Sequence, residues 1–282
     1  MTNPVDLRSC LFVPATHPER FGKALRSGAD GVIVDLEDAV APSAKAEARE
    51  AVRAWTDAGA RALVRVNAPG SAWFDDDMAL CDRPGVLGIV LPKVGEPDDL
   101  AQASNRLREP RPFFPLIESA SGMANVERIA AWPGVARLMF GTVDFAADLD
   151  LQGDEEALLY FRSRLVLASR VAGIGAPLDG PSLEFRDAHA MRRASEHARR
   201  LGFGGKLCIH PAQVPVVNRA FTPGEEECAW AERIVEGARH GDGVFTVDGQ
   251  MVDAPVIARA QRILARARRG EASGRRDDAA LR

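Results

Sequence analysis

Asp35, Glu37 and Asp38 crowd into four consecutive positions, and further along the chain single polar groups stand at the ends of short apolar runs. Arg65 and Asn67 close one such run, Lys93 follows a second and Glu118 a third. Asp144 and Asp148 come after a fourth, and Asp179 and His210 end two later ones. Two carboxylates with open positions beside them describe a magnesium site, because Mg²⁺ keeps water or substrate oxygens in the rest of its octahedron. Glu118 and Asp144 follow consecutive apolar runs and can therefore converge on one ion. On spacing alone the alternative stays open that they pair with Arg65 or cap the next helix. No two histidines have zinc-type spacing, and His189 and His197 read as surface or core residues of a helix.

Arg65 is the strongest anion clamp, since a guanidinium keeps its charge and its planar fork matches a carboxylate. Its competing use is a salt bridge to Glu37 or Asp38. Lys93 would be a Schiff-base lysine only if an apolar pocket lowered its pKa. Ser119 and Ser121 lack the Gly-x-Ser-x-Gly elbow of a nucleophilic serine. The stretch Gly202-Phe-Gly-Gly-Lys206 lacks the spacing of a phosphate loop and suits a tight turn into a strand.

The elements that must carry these groups are short β-branched runs alternating with longer helical patterns, the mark of parallel β/α units. Strands are expected at residues 10–13, 31–35, 62–66, 86–91, 113–117, 137–140, 174–178 and 206–209. Runs such as Gly-Val-Ile-Val at 31–34 are apolar throughout, as in strands buried on both faces. Helices are expected at 18–27, 43–58, 97–108, 124–131, 155–172 and 187–201, the first capped by Thr16 with Glu19 three residues on. Eight strands of this kind predict an α/β fold, a closed (β/α)8 TIM barrel. An open doubly wound sheet lacks its Gly-x-Gly-x-x-Gly after the first strand. Barrel enzymes build their sites at the carboxyl ends of the strands, where these polar groups fall. The barrel is expected over residues 1–222. A C-terminal extension over 223–282 then reads as helix (223–237), hairpin turning at Asp248-Gly249, and helix (255–269), with a disordered tail from about 270.

Composition narrows the function. A net charge of −4 gives no field selecting nucleic acid or an anionic membrane, and no apolar run approaches the roughly 20 residues of a spanning helix. Residues 1–8 lack the apolar core of a signal peptide. The four cysteines (Cys10, Cys81, Cys208 and Cys228) lie far apart and read as reduced thiols, so a cytoplasmic location is expected.

Seven segments in order, Leu11–Phe21, Val34–Val40, Val64–Asn67, Leu91–Lys93, Leu116–Ser119, Phe140–Asp148 and Lys206–Pro211, resemble the citrate lyase beta-like branch of the HpcH/HpaI aldolase superfamily, which includes malyl-CoA and citramalyl-CoA lyases. They span almost the whole chain. The resemblance implies a (β/α)8 barrel, a homotrimer or homohexamer, and a Mg²⁺ ion on Glu118 and Asp144. It implies that Arg65 grips the substrate carboxylate or developing enolate and that Glu37 and Asp38 support metal-bound waters. Arg20 and Lys23 fall where relatives contact CoA phosphates. Gly249–Pro255 resembles the segment that carries an aspartate, here Asp253, into a neighbouring subunit's site; Asp253 also suits a helix N-cap. One departure is Val143, where many relatives have an acid. The implied activity is reversible cleavage of a 2-hydroxy-carboxylate acyl-CoA to acetyl-CoA and a 2-oxo acid. The alternatives are an acyl-CoA thioesterase on the same site, a citrate lyase beta-type subunit dependent on acyl-carrier partners, and an aldolase of free 2-oxo acids.

Overall fold

Strands that are apolar on both faces are stable only with side chains inside and helices outside, and a parallel sheet meets that condition by closing on itself. The computed structural model describes residues 6–152, 156–240 and 244–280. Strands β1 (Ser9–Pro14), β2 (Gly31–Asp35), β3 (Ala62–Arg65), β4 (Val86–Leu91), β5 (Phe113–Ile117), β6 (Arg137–Phe140), β7 (Gly175–Asp179) and β8 (Gly205–Cys208) pair in chain order. All pairs are parallel, and β8 returns to β1 with Cys10 opposite Leu207. The interior is filled by residues such as Ile33, Leu63, Val90, Phe114, Met139, Leu178 and Leu207, each almost wholly buried.

The barrel helices are α1 (Phe21–Leu25), α2 (Lys45–Asp57), α3 (Phe74–Cys81), α4 (Pro97–Ser104), α5 (Ala120–Ala124), α6 (Val126–Ala130), α7 (Thr142–Asp148), α8 (Leu159–Val171), α9 (Ala188–Leu201) and α10 (Gln213–Phe221). The amphipathic α2 buries Ala48, Val52 and Thr56 at helical spacing. The α9 helix starts on Asp187, whose carboxylate accepts from the His189 and Ala190 amides, and ends at Gly202 with φ 108°, a conformation that favours glycine.

Sequence and structure differ locally. The cap expected at Thr16 is not made: a 3-10 turn over Pro18–Arg20 begins from His17, and Glu19 meets the His17 ring at 3.2 Å instead. The helix expected at 124–131 is confined to α6, and a separate α5 precedes it across a break at Asn125, whose side chain donates to the Gly95 carbonyl. Helices α3, α5, α7 and α10 fall outside the expected ranges, α5 but for its last residue.

Two compact units divide the chain, Met1–Val217 and Asn218–Arg282, the boundary falling inside α10 rather than at 222. The second unit contains α11 (Glu225–His240), an antiparallel hairpin β9 (Phe245–Val247) and β10 (Gln250–Val252), and α12 (Ala254–Ala280). The hairpin turns on Asp248 (φ 51°) and Gly249 (φ 76°), the two positive φ values that a two-residue I′ turn requires. Ala231, Ile234, Val252, Ala260 and Ile263 form this unit's own core. The α12 helix runs to Ala280. No helix among the described residues is long and apolar enough to cross a membrane.

Candidate active site

The carboxyl ends of the barrel strands surround a cavity of about 420 Å³. Its charged lining is Asp35, Asp38, Arg65, Glu118 and Asp144, and its apolar wall includes Phe12, Leu116, Val143, Pro181 and Ile209. These groups meet because each follows a strand directly or within a few residues, and barrel closure turns chain order into a ring.

Arg65 closes β3 and is held as a two-pronged fork. Its Nε and Nη2 donate to the two Asp35 oxygens at 2.7 and 2.6 Å, and Nη1 lies 3.1 Å from Glu37 Oε2. Asp38 is more distant, at 3.9 Å. Its guanidinium carbon stands 5.0 Å from the centroid of the Phe12 ring. Three acids around it push the Arg65 pKa up, outweighing the cost of burial. The principal partner is Asp35, at the end of the adjacent β2, and the ion pairs to Glu37 and Asp38 that sequence order suggested form beside it.

Lys93 carries a backbone φ of 53°, and its N–H donates to Glu118 Oε1 at 2.7 Å. Its ammonium lies 2.9 Å from Glu37 Oε1 and 3.4 Å from Asp38 Oδ1. The Glu37 pair holds the Lys93 pKa above its ordinary value, so the amine stays protonated and is unsuited to a Schiff base.

Glu118 is 4% exposed, and its second oxygen, Oε2, is buried without a hydrogen-bond partner. Burial first, then the charges of Glu37 and Asp144, push its pKa up to about 8, against the opposing Lys93 amide and Arg65. Gly141 makes room for this carboxylate, since a Cβ there would come within 2.7 Å of Oε2. Asp144 is exposed in the first turn of α7, where a negative charge suits the helix dipole. Neither acid pairs with Arg65 by a direct contact.

A buried carboxylate oxygen with no donor, in a cavity lined by a second carboxylate, fits a cation as the missing partner. Among the described residues no three His, Cys, Asp or Glu side chains form a cage for a metal. That donor set suits Mg²⁺, which keeps water, better than zinc or calcium, which want more protein ligands. Both Glu37 oxygens are also buried and lie at ion-pair distance without hydrogen-bond geometry, so they can still accept from ordered water.

Surrounding groups hold this arrangement. Buried Lys45 donates at 2.7 Å to the Leu36 and Glu37 carbonyls and to Asn67 Oδ1, and Asn67 in turn donates to Asp77, so the acidic loop after β2 is pinned from α2 and α3. Asp148 accepts from the Ala120 amide at 2.7 Å, tying α7 to α5. Buried Gln213 accepts from the Ile209 and His210 amides and donates to the Ser182 carbonyl, clasping the loops after β7 and β8. Asp179 is fully buried between Lys206 (2.7 Å) and Arg162 (3.0 Å), which together hold its pKa below the usual range. It is therefore an internal brace and does not line the cavity.

The remaining expected residues lie elsewhere. Arg20 and Lys23 are exposed on the 3-10 turn and α1, outside the cavity lining. Asp253 belongs to the second unit, where its Oδ1 accepts from the Val256 amide at 3.2 Å as the N-cap of α12. The Cys10, Cys81 and Cys208 thiols are buried, which pushes their pKa values well up and leaves them unreactive.

Fold and site together define a (β/α)8 barrel with an acid-rich, arginine-braced mouth. Residues 8–211 match the family described as HpcH/HpaI aldolase/citrate lyase, and the chain belongs to that family. It is 37% identical to a citrate lyase subunit beta-like protein of Deinococcus radiodurans, over 93% of this chain and 97% of that one. It is 37% identical to a (3S)-malyl-CoA thioesterase of Cereibacter sphaeroides (92% and 94%) and 31% identical to a mitochondrial citramalyl-CoA lyase of Rattus norvegicus (92% and 86%). Among solved structures, the protein CitE from Mycobacterium tuberculosis in complex with magnesium, acetoacetate and coenzyme A is similar with a TM-score of 0.81 and 34% identity, covering 92% of this chain and 97% of that one.

Proposed function

We propose that this chain is a magnesium-dependent carbon–carbon lyase that reversibly cleaves a 2-hydroxy-carboxylate acyl-CoA, such as malyl-CoA or citramalyl-CoA, to acetyl-CoA and a 2-oxo acid. The observation that carries the reading is Glu118: one oxygen is fixed by a backbone amide and the other is buried and unpartnered, in a cavity that Asp144 and Arg65 also line. Glu118 and Asp144 would hold Mg²⁺, which when bound acidifies the substrate hydroxyl and braces its oxygen. The hydroxyl proton would pass through ordered water held by Glu37 and Asp38 to one of these carboxylates. As that proton leaves, the hydroxyl oxygen forms the new C=O and the C–C electron pair passes to the carbon alpha to the thioester, leaving the 2-oxo acid and the enolate of acetyl-CoA. Arg65, preorganised by Asp35, stabilises the developing charge, a contribution typically of ~3 kcal/mol per group. Asp253, supplied by a neighbouring subunit of a homotrimer or homohexamer, protonates the enolate carbon and removes that proton in the reverse direction. Arg20 and Lys23 offer positive charge to the CoA phosphates.

A second reading, an acyl-CoA thioesterase on the same residues, is favoured by the relatives named (3S)-malyl-CoA thioesterase. Purified protein assayed with malyl-CoA and citramalyl-CoA, following acetyl-CoA, the 2-oxo acid and free CoA separately, decides between them. Equal release of acetyl-CoA and 2-oxo acid, abolished by EDTA, supports the lyase. Free CoA with the hydroxy acid supports the thioesterase. Activity only with added acyl-carrier partners would make the chain a citrate lyase beta-type subunit, and cleavage of a free acid would make it an aldolase of free 2-oxo acids.

A further inference from the structure

Among the described residues only three that are not glycine have positive φ: Lys93, Asp150 and Asp248. Asp248 is explained by its hairpin turn, and Asp150 follows the end of α7. Lys93 is different, because aspartate tolerates the left-handed region by bonding to its own backbone and lysine does not. Its consequence is specific. The turn directs the Lys93 N–H at Glu118 Oε1 (2.7 Å), and that bond leaves Oε2 alone without a donor.

Building on the metal reading above, we propose that Lys93 is a positioning residue for the magnesium site, acting through its main chain. Its left-handed conformation fixes the Glu118 carboxylate so that one oxygen is taken by the protein and the other is presented as a single, oriented ligand. Without that bond the carboxylate rotates, and ordering it falls to the incoming ion. The ammonium, 2.9 Å from Glu37 and 3.4 Å from Asp38, has a separate task of balancing acids that the ion would also meet.

A set of substitutions lacking the ammonium isolates the backbone effect: Lys93→Gly, Lys93→Asn and Lys93→Val in the full chain, titrated with magnesium chloride by calorimetry. Glycine adopts positive φ freely, asparagine tolerates it, and a β-branched valine resists it. Glycine and asparagine should bind Mg²⁺ with similar affinity, and valine at least about fivefold more weakly, matching the cost of a disfavoured positive φ. Far-UV circular dichroism and thermal unfolding in EDTA report folding separately. If Lys93→Val does not fold, Lys93→Ala against Lys93→Gly gives the same comparison, with alanine weaker. Wild-type protein that binds Mg²⁺ while all folded variants bind it equally would overturn the role of Lys93 alone. Wild-type protein that binds no Mg²⁺ would overturn the metal reading and this inference with it.

Discussion

Replacing Glu118 with glutamine should stabilise the metal-free chain while removing its ability to bind magnesium. The carboxyl is buried, and its pKa rises from 4.5 to about 8 through burial and the neighbouring charges of Glu37 and Asp144. A carboxyl whose folded-state pKa lies above its unfolded value favours the fold while protonated. That contribution is complete below about pH 4.5 and is lost as pH rises to about 8. The interval corresponds to about 5 kcal/mol above pH 8, and to about 3 kcal/mol at pH 7, where only part of it has been crossed. Glutamine carries no charge and keeps an acceptor for the Lys93 amide. Its NH₂ inherits the buried, unpartnered position, which costs about 1–3 kcal/mol. The variant should therefore be more stable than wild type by about 1–2 kcal/mol at pH 7, with the advantage larger at pH 8.5 and gone by pH 5. Urea unfolding in EDTA at these three pH values measures it. Magnesium added to saturation should raise the wild-type midpoint and leave that of the variant unmoved. A Glu118→Gln chain less stable than wild type at pH 8.5 in EDTA would refute the reasoning, because the ionised carboxylate would then be a stabilising group.

Three further outcomes follow from the same geometry. Arg65→Lys keeps the charge but loses the two-pronged bond to Asp35, and steady-state kinetics should show kcat/KM lower by about 100-fold or more. Asp253→Asn retains a good N-cap for α12, so circular dichroism and magnesium affinity should be unchanged while turnover falls by about 10²–10⁴; near-normal turnover would remove Asp253 from the mechanism. Lys206→Met leaves buried Asp179 with Arg162 as its charged partner, and chemical unfolding should show a loss of about 3 kcal/mol. A loss below about 1 kcal/mol would mean that Arg162 alone satisfies Asp179.

Much of the barrel is legible in the chain. All eight strands are expected within a residue of their observed bounds, because a strand buried on both faces reads as an apolar run over most of its length, with charged groups mainly at its ends. Helices α2 and α9 are equally plain, being long enough for an apolar stripe to repeat. Helices α3, α7 and α10 have at most nine residues, too few for a period to stand out from the loops around them. The Thr16 cap failed because a local pattern predicts a bond only if the chain enters the helix from that residue, and here it enters from His17.

The sequence by itself determined that acids, an arginine and a lysine would stand at the carboxyl ends of the strands, since those positions follow from chain order and strand period alone. Only the tertiary structure decided how they divide their partners. The register of β2 against β3 sets Arg65 beside Asp35, and no spacing in the chain reveals that register. A strained turn at Lys93 occupies one oxygen of Glu118, and Gly141, on the following strand's end, leaves room for the other. A backbone angle and a buried, unpartnered oxygen are properties of a packed environment, in which burial, neighbouring charge and steric room act together on one atom.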